Sequence, residues 1–207
     1  MLIFYDLNAF YIRYNNKVGT LQVNGNPYKT NLGDLASKGL EFYSEIILLN
    51  PFFVNDAKTE ELSFYVSGTL LDARYVRWDN PSIAGNELTS IVGKRAEYAP
   101  NQILRGGLEY RFKTFGFNYQ MQYTGSCFSD AANTKEPNST ATIGLIPALA
   151  IHDFSIYKTW FDVFQCKIGV NNVFNEISVV RRTGGYPGPG ALTNQGRSLY
   201  ATLSIKF

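Results

Sequence analysis

The sequence predicts an all-β chain, an antiparallel up-and-down transmembrane β-barrel segment of about eight strands. Three observations carry that prediction: a closing strand with divided faces, aromatic-rich and charge-poor composition, and strands joined alternately by short turns and long loops. In the closing stretch, Phe207, Ile205, Leu203, Ala201 and Leu199 fall on one side of a strand. Lys206, Ser204, Thr202, Tyr200 and Ser198 fall on the other. A barrel wall needs such a strand, because its outer face meets lipid and its inner face meets water or a plug. A soluble sandwich could use the same alternation, so the remaining chain must decide.

Fourteen tyrosines and fifteen phenylalanines in 207 residues exceed the usual needs of a soluble core and favour β structure and interfaces. The formal net charge of +2, without any basic run, gives no reason to expect a nucleic-acid partner. Cys127 and Cys166 have neither a zinc spacing nor a disulfide framework, and both are expected to be free. No apolar run approaches the roughly 18 residues of a helical span. The longest, Leu145 to Ile151, is broken by Pro147. The start, Met1 to Asp6, shows no basic segment and no small-residue cleavage site, so no signal peptide is expected.

Taken in order, Leu7 to Tyr14 reads as a strand, followed by turn-prone Asn15-Asn16 and Val23 to Pro27. Lys38 to Leu49 puts Leu40, Phe42, Ile46 and Leu48 opposite Glu41, Tyr43 and Glu45, and Asn50-Pro51 ends it. Leu62 to Leu70 repeats the division and runs on through Arg74 to Trp78, into a polar loop around Asp79 to Ser82. That length overshoots a small sandwich and suits a tilted strand continuing above a bilayer.

Leu104 to Phe112 and Phe115 to Thr124, separated only by Lys113-Thr114, make a hairpin with aromatics clustered at its turn. Arg105, Glu109 and Arg111 lie on its polar face and are expected to face the lumen. A polar loop from Ser126 to about Thr142 follows, then Ile151 to Thr159, a turn at Trp160 to Asp162, and Phe164 to Val170. The last long loop, Arg181 to Gly190, leads to the closing strand. Such strict alternation of short turns and long loops marks an outer-membrane barrel, and a wet lumen accommodates the Glu, Arg, Lys and Gln of the polar faces.

These residues also resemble a family. Ala9 to Gly19, Gly33 to Glu41, Lys94 to Asn101, Gly169 to Asn175 and Gly196 to Tyr200 look like the barrel of TonB-dependent outer-membrane receptors, nearest the ferric-citrate or siderophore type. The resemblance implies active import of an iron chelate across the outer membrane of a Gram-negative bacterium, energised by TonB. Such receptors have a plug domain inside a barrel of about twenty-two strands. With no plug and no TonB-binding box to be read, 1–207 is expected to be a single region from the C-terminal part of such a barrel. A small free-standing barrel, serving as anchor or passive pore, is the alternative.

The resemblance also implies contacts with lipid, lipopolysaccharide and the barrel-assembly machinery, the last through Tyr200, Leu203, Ile205 and Phe207. Iron chelate and TonB would be met only through the missing parts. Within the last loop, Arg181, Arg182 and Tyr186 are the candidate ligand contacts, since guanidinium groups match carboxylates in bidentate pairs. Pairing of these arginines with neighbouring groups is the competing reading. No cofactor, metal site or catalytic set is expected. The lone His152 and its neighbour Asp153 should point to opposite faces of a strand, and the sequon Asn138-Ser139-Thr140 reads as chance. Eight strands of a larger barrel should leave two open edges.

Overall fold

The computed structural model describes residues 1–23, 26–49, 60–78, 90–186 and 188–206. Its strands are β1 (Leu2–Val23), β2 (Asn26–Leu49), β3 (Glu60–Tyr75), β4 (Gln102–Phe112), β5 (Phe115–Thr124), β6 (Cys127–Phe128), β7 (Leu145–Ile146), β8 (Leu149–Trp160), β9 (Phe164–Asn171), β10 (Val179–Thr183), β11 (Gly190–Thr193) and β12 (Ser198–Ile205). Eight of them form one antiparallel sheet in the order β1-β2-β3-β4-β5-β8-β9-β12, and β6-β7 and β10-β11 are small hairpins within the long loops. No helix among the described residues is long and apolar enough to cross a membrane, which says nothing against crossing by strands.

Register follows the alternation in the sequence. Ile3, Ile46, Phe64, Leu108, Tyr119, Phe154, Val170 and Leu199 are successive cross-strand partners, so one apolar row runs across all eight strands. The next row, on the other face, carries Glu45, Tyr65, Gly107, Gln120 and Asp153. A one-residue slip anywhere would turn charge toward lipid, so the bilayer itself fixes the register. The apolar face is bare of protein, with Leu199 76% and Leu203 81% exposed. Fully burying a leucine side chain is worth about 1.5–3 kcal/mol, which lipid can supply here in place of a protein core.

Glycines on the polar face are covered by tyrosines from the neighbouring strand. Tyr65, Tyr157 and Tyr200 stand directly opposite Gly107, Gly116 and Gly169, and a Cβ on any of the three glycines would overlap the facing ring. The glycine gives the ring its seat, and the ring shields backbone that glycine leaves bare.

The first hairpin departs from the sequence expectation. Asn15-Asn16 is not a turn: β1 runs on to Val23, and the two asparagines form a bulge where the register with β2 shifts between Tyr14 and Lys17. Asn16 adopts the left-handed conformation (φ 55°) that asparagine tolerates, and its N–H donates to the Asp34 carboxylate at 3.1 Å. Opposite it, Gly33 has φ +100°, and a Cβ there would overlap the Arg77 carbonyl. Likewise β2 begins at Asn26 rather than Lys38, because its upper half pairs with β1 without an apolar alternation to announce it. Asn24-Gly25, Asn50-Pro51, Asp79 to Ser82, Pro187 and Phe207 lie outside the described residues.

At the sheet's ends, β1 pairs only with β2 and β12 only with β9 among the described residues. Both edges are therefore open, as expected of a barrel sector. Cys127 and Cys166 are free.

Candidate functional site: the polar face and the loop rim

Strand register assembles the polar face. Arg105, Glu109 and Arg111 share it with Glu61, Ser63 and Ser67 of β3. Arg111 Nη2 pairs with Glu61 at 3.1 Å and lies 3.6 Å from Glu109. These are cross-strand pairs of the kind worth a few tenths of a kcal/mol. Arg105 faces Ser67 and Gln122 and has no acidic partner among the described residues. It borders a trough of about 530 Å³ with Tyr43, Tyr65, Gln120 and Asp153. His152 and Asp153 do point to opposite faces: His152 stacks on Tyr119 and accepts or donates at Nδ1 to its hydroxyl (2.8 Å), while Asp153 takes Gln120 and the Asn172 N–H.

Above this face the long loops fold inward and make the only cluster of buried apolar groups among the described residues. Leu35, Ala73, Tyr75, Ile91, Ala96 and Ala131 pack together there. The Tyr75 hydroxyl donates to Glu97 at 2.5 Å, and Lys17 from the first hairpin reaches both Tyr75 (3.1 Å) and Glu97 (3.0 Å). Burial, then the Glu97 carboxylate, push the Tyr75 phenol far above its ordinary range, so it stays a donor. On the opposite side of β2, Asp34 takes Arg77 (2.7 Å) and Arg13 (3.0 Å), and these guanidinium groups hold its carboxyl well below the usual carboxylate range.

The loops are tied to one another by bonds that the sequence did not announce. Tyr98 N–H donates to Phe128 O (2.7 Å), Lys94 Nζ to Ala132 O (2.8 Å), and Arg95 and Asn133 exchange two bonds. Asn138, of the chance sequon, uses its amide oxygen to accept from Thr142 N–H (2.8 Å) and so closes a turn. Asp130 caps the turn after it by accepting from Ala132 and Thr134 N–H, while burial pushes its carboxyl up.

The three candidate ligand residues part company. Arg182 is 9% exposed and donates to Leu145 O through Nε (3.4 Å) and Nη2 (3.2 Å) and to Ala141 O through Nη1 (3.1 Å). Its own carbonyl accepts from the Tyr98 hydroxyl at 2.6 Å. Arg182 thus joins the β10-β11 hairpin to the β6-β7 loop through these carbonyls, the pairing with neighbouring groups that competes with a ligand contact. Arg181 is exposed on the other face of β10, and Tyr186 at the hairpin end is 98% exposed. Of the closing-strand residues, Tyr200 covers Gly169, Leu203 and Ile205 lie on the apolar face, and Phe207 is outside the described residues.

Apolar band, polar face and long loops at one end define a sector of a membrane-spanning β-barrel. A family model described as "TonB dependent receptor-like, beta-barrel" matches residues 2–173, and the chain belongs to that family. Among solved structures, the ferric citrate transporter FecA in its unliganded form is similar over 99% of this chain, at 22% identity and a TM-score of 0.78. The ferric yersiniabactin uptake receptor FyuA from Yersinia pestis matches at 15% identity and 0.70, and the copper transporter OprC at 10% and 0.65, each over 99% of this chain. The chain spans 29%, 28% and 29% of the lengths of those three proteins. The family match ends before Arg181, so the loop carrying the ligand candidates lies beyond it.

Proposed function

We propose that this chain forms part of the barrel wall of an outer-membrane receptor that takes up a ferric chelate, energised by TonB. Ferric citrate is the first candidate ligand and another iron–siderophore complex the second. One observation carries the reading of the site: the β10-β11 hairpin is locked at Arg182 and presents Arg181 and Tyr186 outward at the loop end. An exposed guanidinium on a hairpin held in place by its neighbour, with an exposed phenol at the hairpin end, suits an anionic, carboxylate-bearing chelate. Arg105, Glu109 and Arg111 then line the lumen against a plug. Tyr200, Leu203, Ile205 and Phe207 form the terminal signal read by the barrel-assembly machinery, and lipid and lipopolysaccharide cover the apolar face.

The test is uptake of radiolabelled iron by cells making the intact protein, with ferric citrate and several ferric siderophores offered separately. Arg181→Ala combined with Tyr186→Ala should weaken uptake of one chelate while outer-membrane levels of the protein stay unchanged. Uptake of every chelate equal to that of cells lacking the protein sinks the reading.

A further inference from the structure

Two cations on the polar face stand without a counter-ion. Arg111 is held by Glu61 and Glu109, whereas neither Arg105 nor Lys167 makes an ion pair or a side-chain hydrogen bond among the described residues. Register sets them well apart. Arg105 and Arg111 lie six residues apart on β4, and Arg111, Gly116, Tyr157 and Lys167 are successive cross-strand partners. Lys167 therefore stands about 20 Å from Arg105 along the strand direction and three strands across. Arg105 is nearer the long loops, and Lys167 nearer the short turn after Trp160.

Each cation borders its own trough. The upper one, of about 530 Å³, joins Arg105 to Tyr65, Gln122 and Asp153. The lower, of about 270 Å³, joins Lys167 to Glu109, Asn118, Asp153 and Tyr157. Because Tyr65 and Tyr157 lie over Gly107 and Gly116, their rings rest against the wall and leave both troughs open. The Gln122 amide and Tyr65 hydroxyl above, and the Asn118 amide and Tyr157 hydroxyl below, likewise make no side-chain hydrogen bond among the described residues. Asp153 borders both troughs and is engaged by Gln120 (3.1 Å) and the Asn172 N–H (2.8 Å). Each trough thus offers a free cation and free donors, with a carboxylate nearby but beyond pairing distance. The cation draws an anion in and the carboxylate weakens the hold, which is the balance that passage through a pore requires.

We propose that Arg105 and Lys167 are two successive resting points for a carboxylate-bearing ferric chelate as it crosses the lumen along this wall. At the upper one Arg105 takes a carboxylate while Gln122 and Tyr65 donate to the chelate's other oxygens, and at the lower one Lys167, Asn118 and Tyr157 do the same. Neither trough lies on the β10-β11 hairpin, so first capture of the chelate at the loop end does not involve them.

This inference rests on the uptake reading and deepens it. In cells making the intact protein, surface binding of labelled ferric citrate and of several labelled ferric siderophores is measured with the proton-motive force collapsed, and uptake with it restored. For the chelate that the natural protein takes up, Arg105→Gln and Lys167→Gln should each leave the surface Kd within about twofold and lower the maximal uptake rate about tenfold, at unchanged outer-membrane levels. Arg105→Lys and Lys167→Arg should keep most of the rate. An undiminished maximal rate in the glutamine variants overturns the proposal while leaving the uptake reading intact. So does a surface Kd that weakens in step with the rate, or a loss that the charge-keeping variants do not rescue. Uptake of no chelate by the natural protein sinks the uptake reading itself, and this inference with it.

Discussion

Replacing Arg182 by alanine should release the β10-β11 hairpin from the β6-β7 loop without altering the barrel wall. The side chain supplies three hydrogen bonds to two carbonyls, those of Ala141 and Leu145, and it is the only described side chain that bonds to both. Hydrogen bonds from charged donors are worth about 1.5–3 kcal/mol each, but the three share two acceptors and one is long, so they do not add in full. Water entering the rim will re-satisfy part of what is lost. A net cost of about 2–4 kcal/mol follows, which by equilibrium arithmetic raises local opening roughly 30- to 1,000-fold. Hydrogen exchange read by mass spectrometry on the intact protein is the assay. Amides of β7, β10 and β11 should lose protection by that factor, while those of β4, β5 and β8 should not change. Unaltered exchange in the hairpin would refute the reasoning, because it would mean that the Tyr98 bond to the Arg182 carbonyl holds the loops without the guanidinium.

Tyrosine-covered glycines give a second prediction: Gly107→Val must displace the Tyr65 ring and should cost about 1–3 kcal/mol, read as a lower unfolding midpoint in detergent, whereas Gly93→Val, where a Cβ meets open space, tests only its φ of +83°. The Asp34 cluster should be acid-labile. Its carboxyl pKa is depressed in the folded rim, so the stabilisation is complete above the ordinary carboxylate range near pH ~4 and fades as pH falls below it. Protection of the first hairpin's amides, taken relative to their intrinsic exchange rate at each pH, should therefore fall on acidification in the natural protein and depend less on pH in Asp34→Asn; parallel profiles would count against the assignment. Lys17→Met should loosen the 90–101 segment, because it removes the only described cation paired with the half-buried Glu97 that Tyr75 bonds, and proteolysis within that segment should quicken.

How much of this was legible in the sequence depended on which solvent each surface met. Across β4, β5, β8, β9 and β12 one face lies in hydrocarbon and the other in a polar interior, so side chains alternate and a period of two shows the strand, its faces and its register together. The upper halves of β1 and β2 meet water on the outward side. Lys38 is acceptable there, no alternation is required, and strands that pair over their whole length left no trace in the hydropathy pattern. Asn15-Asn16 has the composition of a turn, and only the partner strand, with Gly33 and Asp34 opposite, makes it a bulge.

The rim shows the same limit in its side chains. Arg181 and Arg182 are adjacent and chemically identical, so no property of the sequence could assign one to the carbonyls of a neighbouring loop and the other to solvent. The assignment comes from strand parity in β10: successive residues of a strand point to opposite faces, and one face of this hairpin lies on the β6-β7 loop. Parity also forbids both arginines from clamping one carboxylate of a bound chelate while the hairpin keeps its form. With the hairpin in this form Arg181 is the one of the two whose side chain is exposed, and under the proposed reading it is the guanidinium left to meet a chelate.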